Sequence, residues 1–312
     1  MPALWKAQAR RTCRALVRAW ATTGRANGYL YELMEAYGHF LGNGECLQTR
    51  LPNGCIAHCD LRDHVQRNLW LAGVYEPIEA FLFTQLLNPG MVVIDGGANV
   101  GQYTVLAATI VGASGSVHSF EPVDANLAHL RKHVQLNHLP NVTLNQAALW
   151  KEGSVLALQL PEGSSGNAGA YRARAAAATG ARRAVAVALD AYCEDHNLQR
   201  VDAIKLDVEG SEPFVLLGAE KMIRTHRPNI LIEVNRAALS AVGSSPGDLW
   251  DIVSQLGYRA WNIGADALSS RHVSSFDSFE QSNFILHADP LPSQVQFGWT
   301  EKSCLAWARS RW

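Results

Sequence analysis

Five carboxylates stand at or just past the ends of apolar runs. Val92, Val93 and Ile94 lead into Asp95, and Val117-His118-Ser119-Phe120 leads into Glu121. Val201 to Leu206 leads into Asp207, with Glu209 two residues on, and Asn229 to Ile232 leads into Glu233. Aliphatic runs of this length suit buried parallel strands, and an acid at the carboxyl end of such a strand stands where open α/β sheets bind ligands. Asp95 precedes Gly96-Gly97-Ala98-Asn99-Val100-Gly101, a glycine turn that opens an apolar helix whose first N–H groups lack partners. A carboxylate at that point repels phosphate and attracts an amine. Glu121 follows the glycines by roughly 20 residues, the spacing at which an acid takes ribose hydroxyls. Asp207, Glu209 and Glu233 are then left for a second ligand, as a general base or as positioning groups. Lys205 shares a sheet face with Asp207, which suits an ion pair. Asp207 and Glu233 would also suit Mg²⁺, but no third ligand is recognisable, so no metal is expected.

The elements that must carry these residues alternate regularly. A strand at 91–95, a helix at 99–111, a strand at 116–120, a helix at 124–137 and a strand at 141–147 imply parallel pairing with helices on both faces. Asn229 to Val234 is a further parallel strand, Leu249 to Leu256 a helix, and Tyr258 to Ile263 and Asn283 to His287 the last strands. His272 to Gln281 is too short for a helical crossover, so the final strand should run antiparallel. Gly163 to Arg183, rich in Gly, Ser, Ala and Arg, reads as a mobile cover, with Arg172, Arg174, Arg182 and Arg183 as a solvated charge run. A strand (Ala184 to Leu189) follows it, with Asp190 as a helix cap.

Together the segments YEP (Tyr75 to Pro77), VIDGGANVGQYT, HSFEP, LNHLPNV, IKLDVEGSE and PNILIEVN resemble the FkbM family of S-adenosylmethionine-dependent methyltransferases, in the family's order over residues ~70 to 290. The resemblance implies a Rossmann-like class I methyltransferase fold: a seven-stranded, mostly parallel sheet with an antiparallel last strand. It implies S-adenosylmethionine as the cofactor, which carries an amine and a sulfonium and no phosphate, in keeping with Asp95. The donor site it implies comprises Tyr75, Glu76, Asp95, Gly96, Gly97, Ala98, Asn99, Gly101, Tyr103, Glu121, Pro122, Gln146, Ala147 and Asp207. Glu76 has a second reading, as an N-terminal helix cap. Asp207, Glu209 and Glu233 are the catalytic candidates, and the implied reaction is O-methylation of a small-molecule or glycan hydroxyl. A carboxylate or peptide acceptor is an alternative, as is an NAD-binding oxidoreductase or a non-catalytic binding protein on the same fold. The D-G-G-A-N-V-G spacing counts against NAD.

Residues 71–290 are expected to form this domain, 1–70 an N-terminal helix and hairpin cap, and 291–312 a tail. The cap carries Asn53-Gly54, a hairpin turn, between Leu47 and Cys59. Cys55, His58, Cys59 and His64 lack a second ligand pair, so they read as strand cysteines and surface histidines. The N-terminal helix should dock Cys13, Leu16, Val17 and Trp20 and present Arg11, Arg14 and Arg18 to solvent, with contact to a membrane surface as its other use. A net charge of -1 gives no sign of a nucleic-acid partner, and no run is long enough to span a bilayer. Six cysteines without repeating spacing favour reduced thiols and a cytoplasmic setting.

Overall fold

The computed structural model describes residues 2–20, 46–159, 172–175, 182–264 and 268–289, together with 291, 295, 303–304 and 306–307. In chain order the strands are β1 (Cys46–Arg50), β2 (Ile56–Asp60), β3 (Val92–Gly96), β4 (Ser116–Phe120), β5 (Val142–Asn145), β6 (Ala148–Leu149) and β7 (Ser154–Gln159). They continue with β8 (Arg172–Ala175), β9 (Arg182–Val187), β10 (Ala203–Leu206), β11 (Asn229–Asn235), β12 (Arg259–Ile263), β13 (Leu268–Val273) and β14 (Gln281–His287). The main sheet has the order β13-β12-β14-β11-β10-β3-β4-β5. Strands β3, β4, β5, β10 and β11 are parallel, and β14 runs antiparallel between β11 and β12 as expected, although the strand directly before it is β13, which also runs antiparallel to β12.

Alternation along these strands separates two cores. Val93, Ala203, Leu231 and Ile285 point to one face and pack with the hairpin and the helices His64–Ala72, Pro77–Gln85 and Gln102–Val111. Ile94, Ile204, Ile232 and Leu286 point to the other, under the helices Leu189–Asp195, Glu212–Leu217, Glu220–His226 and Pro246–Gln255. The central strands are covered on both sides, which is why they read as unbroken apolar runs. By the same parity Asp95, Lys205 and Glu233 emerge on the first face, at the carboxyl ends of three adjacent strands.

Several expectations are corrected. The main sheet holds eight strands among the described residues, because β13, in a stretch for which no strand was expected, adds an edge beside β12. The strand placed at 141–147 ends at Asn145, and Ala148–Leu149 turns into a second sheet of order β6-β9-β7-β8. The 163–183 cover is in part strand: β8 pairs antiparallel with β7 and β9 begins at Arg182, while the rest lies outside the described residues. Arg182 and Arg183 are exposed, as a solvated run should be. Asp190 does not cap its own helix, whose N-cap is Ala188. Its carboxylate instead accepts from Lys221 N (3.0 Å) and Met222 N (2.8 Å), capping the helix Glu220–His226.

The helix Pro2–Trp20 also differs from expectation. Val17 is buried, but Leu16 is 64% exposed while Arg10 is only 6% exposed. Arg14 turns inward, donating to Thr49 Oγ1 at 2.6 Å with its guanidinium 4.9 Å from the Trp70 ring. A guanidinium can satisfy its charge on a hydroxyl and an aromatic face, so hydrophobic periodicity alone misplaced the buried side. No helix among the described residues is long and apolar enough to cross a membrane.

Candidate active site

The turn after β3 is fastened to the neighbouring strands by its backbone. Gly97 N and Ala98 N both donate to Phe120 O, at 3.1 and 3.0 Å. Gly97 has φ +73°, and a Cβ there would lie 1.9 Å from the Asp207 carbonyl oxygen, so the β3 turn and the end of β10 touch backbone to backbone. Gly101, φ +92°, opens the helix Gln102–Val111, and a Cβ there would meet Leu130 Cδ1 at 2.2 Å.

Glu121 is buried at the tip of β4. Its Oε2 accepts from Asn99 N at 2.8 Å and its Oε1 from Val123 N at 2.8 Å. Burial pushes its pKa up to about 7, with the two amide bonds pulling the other way. The cleft beside it is walled by Phe120, Pro122, Ala147, Val208 and Leu158, with Asp207 and Glu209 at its rim. Apolar walls with carboxylates at the edge suit a flat heterocycle joined to a diol. Asp95 lies beneath the turn, 1% exposed. Thr104 Oγ1 donates to its Oδ2 at 2.5 Å, while Oδ1 has no hydrogen-bond partner among the described residues. Burial raises its pKa, opposed by Lys205 and the Thr104 bond.

On the first face of the sheet a lysine is ringed by acids. Lys205 Nζ lies 3.1 Å from Asp207 Oδ2, 3.3 Å from Gly97 O and 5.0 Å from the centre of the Tyr103 ring. Burial works against its charge, but Asp207, Asp95 and Glu76 together raise its pKa. The expected Lys205–Asp207 pair is therefore present. Tyr103 donates its hydroxyl to Glu76 Oε2 at 3.2 Å. Glu233 accepts from Gln281 Nε2 at 2.7 Å, and burial, then Asp207 and Glu212, push its pKa well up. Glu79, one turn along from Glu76, accepts from Asn283 Nδ2 at 3.3 Å.

The structure thus gathers Glu76, Asp95, Tyr103, Lys205 and Asp207 around one point and sets Gly97, Glu121, Pro122, Ala147 and Glu209 along the cleft. Tyr75 is held through its backbone by Gln102, which accepts from Tyr75 N at 2.7 Å and donates to Tyr75 O at 2.8 Å. Gln146 is the exception: it is exposed and donates to Asp124 outside the cleft, because the chain has already turned toward the second sheet. Several groups were missed, Phe120 and Val208 on the cleft wall among them. Ser211 and Leu158 reach the cleft, and Glu212 caps the DVEG loop, accepting from Val208 N at 3.0 Å and Gly210 N at 3.3 Å. Ser211 and Glu212 follow directly on the IKLDVEG motif; nothing in the sequence points Leu158, from the second sheet, toward the cleft.

Backbone strain marks the same place. Of the six non-glycine residues with positive φ among those described, His138, Asn197 and Arg227 sit at helix ends, where a left-handed residue is ordinary. The others are Glu76, Asn99 and Glu209, all in the site.

The methyltransferase FkbM domain family matches residues 95–260, more than half of the chain. The chain belongs to this family. The matched stretch includes the glycine turn, Glu121, Asp207 and Glu233 but not Tyr75 or Glu76. Methyltransferase 1 of Beauveria bassiana (strain ARSEF 2860) is 24% identical over 159 residues, 46% of this chain and 64% of that one, so the chain spans under two thirds of the length of this curated relative. Among solved structures, methyltransferase FkbM from Methylobacillus flagellatus KT aligns over 71% of this chain and 53% of its own, at 17% identity and a TM-score of 0.41. A SAM-dependent O-methyltransferase from Thermotoga maritima aligns over 70% of this chain and 68% of its own, at 14% identity and a TM-score of 0.40.

Proposed function

We propose that the protein is an S-adenosylmethionine-dependent methyltransferase that acts on a hydroxyl of a small molecule or glycan precursor. The carrying observation is that a buried acid with an unpartnered oxygen, Asp95 Oδ1, lies beneath a glycine turn whose other side opens on an apolar cleft edged by Glu121. These residues fit the donor's parts. Asp95 suits its amine, Glu121 the ribose diol, and Phe120, Pro122, Ala147 and Val208 the adenine. The donor supplies an activated methyl group on sulfur, so the chain has to orient the acceptor, exclude water and accept one proton. Asp207, which lines the cleft and is paired with Lys205, is assigned to positioning the acceptor oxygen, with Glu209 and Glu233 as further candidates. A carboxylate among fixed charges can orient a hydroxyl through a charge-assisted hydrogen bond.

Calorimetric titration with S-adenosylmethionine and with NAD tests the donor, and labelled donor mixed with a cell extract tests transfer. Binding of NAD in preference to S-adenosylmethionine would overturn the reading. A Glu121→Ala variant should bind the donor at least ~10-fold more weakly, since hydrogen bonds to a charged acceptor are worth ~1.5–3 kcal/mol. The same variant should also unfold more easily, because Asn99 N and Val123 N lose their acceptor. Unchanged donor affinity in folded Glu121→Ala would reject its role.

A further inference from the structure

Glu76 has the position of a helix cap without its bonds. It occupies the N-cap of the helix Pro77–Gln85 in the left-handed region, φ 49°, yet makes no capping hydrogen bond. Its side chain is turned instead toward the sheet, where Oε2 accepts from the Tyr103 hydroxyl at 3.2 Å. The Tyr103 ring in turn lies under the Lys205 ammonium, 5.0 Å away. Oε1 of Glu76 accepts no hydrogen bond among the described residues. Asp207, by contrast, already has Oδ2 paired with the Lys205 ammonium at 3.1 Å.

We propose that Glu76 takes the proton released by the acceptor hydroxyl, and that in the free protein it already holds a proton which the positive charge of a bound sulfonium drives off. This rests on the methyltransferase reading above. In the transfer step the acceptor oxygen forms a bond to the methyl carbon, and the carbon–sulfur bond breaks with its electron pair going to sulfur. The hydroxyl proton passes to the Glu76 carboxylate. No other reactant is needed.

The surroundings explain both states. Burial, then Glu79 on the same helix and Asp207 at the end of β10, push the Glu76 pKa up to about 8; Lys205 on β10 and the Tyr103 hydroxyl pull it down. Asp95 on β3 acts on the same lysine. Tyr103 has its own pKa raised by burial and by Glu76, Glu79 and Asp207, so it remains a donor. A second cation set among these carboxylates favours the ionised form of Glu76, and by linkage the cation binds more tightly where Glu76 is already ionised.

Calorimetry of the full-length protein in two buffers of different ionisation heat counts the protons. At pH 7, S-adenosylmethionine should release close to one proton, while S-adenosylhomocysteine, with the same amine but a neutral sulfur, should release far less. Donor affinity should rise nearly ~10-fold from pH 6 to pH 7 and level off above about 8. In Glu76→Gln the release and the pH dependence should vanish with donor binding retained, and label transfer to extract should fall by ~10²–10⁴-fold. Equal release with both ligands on the unaltered protein overturns the proposal without any variant. So does release that persists in Glu76→Gln, or label transfer that is undiminished there. Absence of donor binding altogether would instead bring down the methyltransferase reading.

Discussion

A Gly97→Ala variant should lose about 3 kcal/mol or more of stability and most of its donor affinity, while Gly54→Ala loses about 1–2 kcal/mol. Both glycines have left-handed φ, +73° and +84°, so the backbone strain of adding a side chain is similar at the two sites. Their surroundings differ. A Cβ on Gly54 meets nothing within 4 Å, whereas one on Gly97 would sit 1.9 Å from the Asp207 carbonyl oxygen. That oxygen belongs to backbone at the end of β10, where Asp207 N is bonded to Gly96 O at 3.2 Å, so it has no flexible way to retreat. Relief requires the β3 turn and the β10 tip to separate. The separation would displace Asp207 from Lys205 and carry the Asn99 amide away from Glu121. Urea unfolding of the two variants measures the first effect and titration with S-adenosylmethionine the second. Equal losses at Gly54 and Gly97 would mean that the close approach contributes nothing beyond strain.

How far the sequence could be read follows from which interactions are local. The β3 turn, Glu121 and the DVEG tip were legible because each is a short apolar run followed by a glycine or an acid, and that pattern is dictated by burial on two faces. The antiparallel direction of β14 was foreseen, but not the strand β13 that directly precedes it. The second sheet was not legible. Ser154–Gln159 has the composition of a strand, but its partners are Arg172–Ala175 and Arg182–Val187, and nothing in Val155 or Leu156 says which sheet they join. The N-terminal helix was misread for a related reason: Arg14 counts as polar in any periodicity, and only the presence of Thr49 and Trp70 across the interface makes its burial tolerable. Glu76 was left between a cap and a pocket residue because the choice depends on Tyr103, 27 positions away.

Replacing Glu212 by glutamine should flatten part of the fall in stability between about pH 5 and pH 7, and at pH 8 the variant should be more stable than the original chain by up to about 3 kcal/mol. Glu212 is 1% exposed, and its Oε1 accepts from Val208 N and Gly210 N. Its Oε2 has no partner among the described residues. Burial raises its pKa from 4.5 to about 7, with Asp207 adding to the rise and the two amide bonds opposing it. Folded protein therefore holds a proton on Glu212 across a range where the unfolded chain has released it. Stability falls with rising pH through that range and is constant outside it. Glutamine keeps an oxygen for the two amides and has no charge to bury, so its own curve lacks this slope. His118 works in the opposite sense, since burial lowers its pKa to about 4 and makes stability rise with pH between there and the ordinary histidine value. It is common to both proteins and cancels in their difference. Denaturant unfolding of both across pH 5 to 8 should give curves that diverge steadily and then run parallel above about pH 7. Curves parallel throughout would show that Glu212 stays ionised in the folded protein and that the amides of Val208 and Gly210 suffice to hold its charge.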